Sequence, residues 1–93
     1  MRWIAEVHVQ LRPGIADPEG LTVGGGLRAL GFDSVSEVRS GKLLRVSFEA
    51  DDVGEARSQV ESMCRRLLAN PVMEVATWEV RADDEPNKEA RLA

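Results

Sequence analysis

The sequence has little of what most enzymes use. It contains one cysteine and one histidine among 93 residues, too few for a zinc site and one thiol short of an intramolecular disulfide. It has no basic excess. Twelve Lys and Arg stand against 16 Asp and Glu, a formal net charge of −4, so the cationic footprint of a nucleic-acid binder is missing. No apolar run nears the roughly 18 residues of a membrane span, and no leader-type hydrophobic region opens the chain. A cytoplasmic protein with neither nucleic-acid nor membrane partners is therefore expected. What is present is an ordinary globular balance, 43% hydrophobic and 30% charged, in a length that suits one domain. Such a chain buries about 60–70% of its unfolded surface, enough for one modest core.

Residues 2–11 alternate. Trp3, Ala5, Val7, Val9 and Leu11 share one parity while Arg2, Glu6, His8 and Gln10 share the other, which predicts a strand with one buried and one wet face. Arg12-Pro13-Gly14 ends it. Asp17-Pro18-Glu19-Gly20 reads as a helix start, with Asp17 capping free N–H groups, Pro18 at the first position and Glu19 against the positive dipole end. That helix runs to about Leu30, closed by a left-handed Gly31 with Phe32 packing back. Its Gly24-Gly25-Gly26 run costs roughly 0.5–1 kcal/mol per residue relative to Ala, so tertiary packing has to hold it. Val35–Arg39 and Leu43–Glu49 predict two strands of a hairpin around Ser40-Gly41.

Asp51-Asp52 offers caps to a second helix, along which Val53, Ala56, Val60, Met63, Cys64, Leu67 and Leu68 form an apolar stripe. Asn70-Pro71 stops it, because proline disfavours helical geometry in the residue before it. A last strand spans Val72 to about Arg81, with Ala76, Trp78 and Val80 on one parity. Residues 1–81 make the domain, and 82–93, charged and without periodicity, a flexible C-terminal tail. The order β-α-β-β-α-β predicts an α+β ferredoxin-like sandwich, an antiparallel sheet with two helices on one face. The first and last strands are then neighbours, which places Trp3 near Trp78. Free strand edges predict self-association into a dimer.

Few groups suit catalysis. Cys64 falls in the apolar stripe and reads as a buried, inert thiol. His8 beside Glu6 on the wet strand face reads as a surface ion pair. The glycine run lies mid-helix and lacks the following Lys-Ser/Thr of a phosphate loop, so close helix packing accounts for it better. Asp51-Asp52 and Asp83-Asp84 have no further ligands at metal spacing. Arg39, Gly41 and Lys42, at the predicted hairpin tip, are the most presentable docking feature. The alternative is a small ferredoxin-like enzyme of acylphosphatase type, with Arg12 in a phosphate-cradling loop and Asn70 positioning water. Pro13, however, removes a donor from that loop.

Four patterns, taken together, resemble one family in their order and spacing. They are Asp17-Pro18-Glu19-Gly20, Leu30-Gly31-Phe32, Val38-Arg39-Ser40-Gly41-Lys42 and Leu67-Leu68-Ala69-Asn70-Pro71-Val72-Met73-Glu74. The chain is similar, over nearly all of the predicted domain, to the PurS family of phosphoribosylformylglycinamidine synthase. It departs from the usual pattern at Glu19, in the triple glycine, and at Ala76 and Trp78. The resemblance implies an accessory subunit of a glutamine-dependent, ATP-using ligase of de novo purine synthesis, with no catalytic, cofactor-binding or metal residues in this chain. The enzyme makes formylglycinamidine ribonucleotide from formylglycinamide ribonucleotide. The resemblance further implies a homodimer that bridges a PurL-type synthetase, which binds ATP and Mg²⁺, and a PurQ-type glutaminase, and that assists ammonia transfer. Partner-interface roles fall by the same resemblance on Asp17, Gly20, Arg39, Gly41, Lys42, Asn70 and Pro71.

Overall fold

The alternation of residues 2–11 produces the strand on which the rest is built. The computed structural model describes residues 1–83, so the expected tail lies outside the described residues apart from Ala82 and Asp83. The central strand, β1 (Arg2–Leu11), is followed by α1 (Pro18–Ala29), β2 (Gly41–Glu49), α2 (Val53–Met63) and β3 (Glu74–Ala82). β1 pairs antiparallel with β2 on one side and β3 on the other, in the order β2-β1-β3. The architecture is α+β and ferredoxin-like, an antiparallel sheet with two helices.

Parity decides what is buried. Trp3, Ala5, Val7 and Val9 point to one face and are buried there with Ala56 and Val60 of α2 and with Cys64 just beyond its end. The indole N–H of Trp3 donates to the buried carbonyl of Ala50 at 3.1 Å, satisfying both groups where water cannot. The opposite face is largely polar, although Ile4 on it is also fully buried. Glu6 there is flanked across the strands by Arg45 at 2.9 Å and Arg81 at 3.9 Å. The hydrogen bond from Arg45, then the two arginine charges, hold its carboxyl below the usual range.

Both helix starts form as their sequences dictate. The Asp17 carboxylate accepts from the Gly20 N–H and Asp52 from the Glu55 N–H, each at the third helical position. Gly31 closes α1 at φ +102°, with bonds from Gly31 to Arg28 and from Phe32 to Leu27, the double closure that a left-handed glycine permits. Phe32 does not seal this cap, being 57% exposed.

Four expectations need correction. Residues 35–40 belong to no strand, so the hairpin around Ser40-Gly41 does not form and Gly41 instead opens β2. The cause is competition for the backbone, because the Ser40 N–H donates to Asp17 at 2.6 Å and the Val35 carbonyl accepts from Arg28. Trp78 lies opposite Val7, and Trp3 opposite Ala82. The two tryptophans are thus four residues apart along the sheet, about 13 Å at strand spacing; the strands are neighbours, but in a shifted register. The second helix ends in a π turn, Cys64–Leu68, closed by Ala69 N–H to the Cys64 carbonyl. This wider turn keeps Leu68 on the core and swings Leu67 out to 83% exposure. Finally, Asp83 continues the ladder, its N–H donating to the Arg2 carbonyl.

Candidate functional site

The seven residues singled out by resemblance gather at one end of the sheet, where β1 finishes and β2 and β3 begin. Asp17 is the hub. It is only 4% exposed, and its two oxygens accept from Gly20 N–H (2.9 Å), Ser40 N–H (2.6 Å) and Ser40 Oγ (2.7 Å). Those hydrogen bonds, led by Gly20, with the Arg39 charge behind them, hold its carboxyl below the usual range. Gly20 sits so close to the Val38 carbonyl that a Cβ would collide with it. The base of α1 and residues 38–40 are thereby clasped together.

Arg39 has a structural task that its sequence context did not reveal. Its guanidinium donates to the carbonyls of Ile15 (3.1 Å) and Arg12 (3.2 Å), tying the segment before β2 to the turn after β1. Arg12 carries the chain of contacts onward. Its N–H donates to the Met73 carbonyl and its guanidinium to the Pro71 carbonyl at 2.8 and 3.2 Å. Asn70 folds the corner itself, with Oδ1 accepting from the Val72 N–H and its carbonyl from Met73 and Glu74, a turn proper to asparagine. Gly41 lies opposite Gln10, where a Cβ would press on the Val9 carbonyl and the Gln10 side chain at 2.8 Å. Lys42 is exposed and opposite Val9; among the described residues it makes no ion pair.

The site therefore divides. Asp17, Gly20, Arg39 and Gly41 are spent on the fold, whereas Lys42, Asn70, Pro71 and the apolar Leu67, Val72 and Met73 beside them are presented to solvent. Sequence reasoning missed Ser40 and the Arg12 clamp. The Asp17–Ser40 bonds span 23 positions, and no local spacing announces them.

Such an arrangement offers contact rather than chemistry. Arg12 is committed to Pro71 and the Asn70 amide oxygen to Val72, so neither is available to cradle a phosphate or position water, and the acylphosphatase alternative has no support. Burial pushes the Cys64 thiol up, away from a reactive thiolate. Among the described residues no three His, Cys, Asp or Glu side chains cluster to hold a metal.

Comparisons with known proteins supply the family. The model of the family described as PurS, phosphoribosylformylglycinamidine (FGAM) synthase, matches residues 4–82. The PurS subunit of Synechocystis is 45% identical over 76 residues, covering 82% of this chain and 76% of that one. The Archaeoglobus fulgidus PurS subunit is 44% identical over 71 residues, 76% of this chain and 89% of that one. Thermus thermophilus PurS superposes with a TM-score of 0.80 at 41% identity, over 92% of this chain and 100% of that one. A chain in the structure of PurLQS from Thermotoga maritima does so at 0.75 and 33% identity, over 87% and 96%. A match that spans both helices and every described strand, with identity well above the level at which only folds agree, places this chain in the PurS family, as an accessory subunit of phosphoribosylformylglycinamidine synthase (EC 6.3.5.3).

Proposed function

We propose that this chain is a non-catalytic homodimer that bridges a PurL-type synthetase and a PurQ-type glutaminase and assists ammonia passage between them. The observation that carries the reading is the match over residues 4–82, together with the Thermotoga PurLQS chain of the same fold. ATP and Mg²⁺ belong to the large subunit and none to this chain. The location is the cytoplasm; no helix among the described residues is long and apolar enough to cross a membrane.

Lys42 and the Asn70–Pro71 corner meet partner subunits directly, while Asp17, Gly20, Arg39 and Gly41 shape the surface that does so. Support comes from the exposure of Lys42, Asn70 and Pro71 beside residues that the fold uses, Lys42 making no ion pair among the described residues. Reconstitution tests the proposal. Glutamine-dependent synthesis by the large and glutaminase subunits is expected to require this chain, and full activity without it refutes the role. Lys42→Glu is expected to weaken assembly and leave the circular dichroism of the isolated chain unchanged; undiminished assembly removes Lys42 from the interface.

A further inference from the structure

β3 has a neighbour on one side only, β1. Its outer edge is long and regular. Nine consecutive residues hold an unbroken register against β1, with no proline, glycine or bulge to blunt the strand. Two bonds fix which backbone groups turn outward. The Asp83 N–H donates to the Arg2 carbonyl at one end of the ladder, and the Arg12 N–H to the Met73 carbonyl at the other. Antiparallel strands bond at every second pair, so Val75, Thr77, Glu79 and Arg81 bond to β1. Ala76, Trp78, Val80 and Ala82 direct N–H and C=O away from the sheet, and none of these groups has a backbone partner among the described residues.

The side chains along this edge are equally unfinished. Ala76, Trp78 and Val80 pack against the core on the α2 side, yet stay only half buried. Beside them Arg57, Trp78, Glu79 and Val80 line a shallow hollow of about 560 Å³. Arg57, on α2, and Glu79, on the opposite face of the sheet, are exposed, and neither makes an ion pair among the described residues. The edge thus presents unpaired amides, apolar surface on one parity, and one charge of each sign on its two sides. It continues directly from the Asn70–Pro71 corner, where the Asn70 carbonyl takes the Glu74 N–H.

We infer that β3 accepts a further strand, an extended segment of the partner subunit that meets the Asn70–Pro71 corner. That segment carries apolar residues toward α2, covering Trp78 and Val80, with a carboxylate for Arg57. On its other face a basic residue answers Glu79. A second copy of this chain fits poorly, because two-fold pairing about Trp78 sets Arg57 near Arg57 and Glu79 diagonal to Glu79. The inference rests on the subunit reading above and specifies how one contact is made.

Hydrogen exchange tests it residue by residue. In the free chain the amides of Thr77 and Glu79 are expected to exchange slowly, and those of Ala76, Trp78 and Val80 fast. The synthetase and glutaminase subunits are then added separately, and one of the two complexes is expected to slow the second set at least tenfold. Ala76→Pro removes an outward donor and leaves the ladder to β1 intact. It is expected to keep the parent's circular dichroism and to weaken that complex about tenfold. Arg57→Glu, at an exposed helix position, is expected to weaken it likewise. An assembled complex in which Ala76, Trp78 and Val80 still exchange fast overturns the added strand and leaves the subunit reading standing. Slowing in the free chain that grows with concentration gives the edge to a second copy and also overturns it. Failure to bind either subunit refutes the subunit reading itself.

Discussion

Glycine in this chain divides sharply by what surrounds it. Gly20 abuts the Val38 carbonyl, while Gly25 faces open space within α1. Gly20→Ala is therefore expected to destabilise the fold by about 1–3 kcal/mol, the usual cost of overpacking. Gly25→Ala is expected to stabilise it by about 0.5–1 kcal/mol through helix propensity alone; chemical denaturation distinguishes the two. Asp17 gives a pH signature. Its carboxyl is held low in the folded chain, so the stabilisation it confers is present at neutral pH and lost as pH falls through the lowered value. Asp17→Asn should lower the melting temperature at pH 7, and the gap from the parent should close below about pH 4. The capping role of Asp17 was readable from Asp17-Pro18 because the partner lies three residues on. Its bonds to Ser40 were not, because they depend on where the intervening chain returns.

At the scale of elements, alternation and capping located both helices and the strands β1, β2 and β3 to within a few residues, since each signal is local. What escaped was competition between equally polar partners. Val35–Arg39 carries β-branched residues but no true alternation, with Val35 and Val38 on opposite parities, and the guanidinium of Arg28 and the carboxylate of Asp17 take the Val35 carbonyl and the Ser40 N–H that a ladder needs. Register escaped for a related reason: parity fixes which face a residue occupies and leaves sliding by two or four free. Trp3 shows how the element is then locked in place, with its indole N–H bonded to Ala50 beneath β1. Trp3→Phe keeps the apolar bulk and orphans that buried carbonyl, so a loss of about 1–3 kcal/mol in unfolding free energy is expected.

Taken whole, the molecule has a tight centre and a loosely attached flank. β1, bonded on both edges and buried beneath α2, opens only when everything does. α1 is joined through the Asp17–Ser40 clasp and the Arg28–Val35 bond, and twelve-residue helices are marginal alone. Amide protons report such differences directly. In dilute solution the amides of α1 should exchange for deuterium orders of magnitude faster than those of Val7 and Val9. Equal protection along both would mean that α1 opens only with the whole. These two ties thus set a second, lower melting level inside a single small domain, and the local opening free energy of twelve residues rests on one carboxylate and one guanidinium.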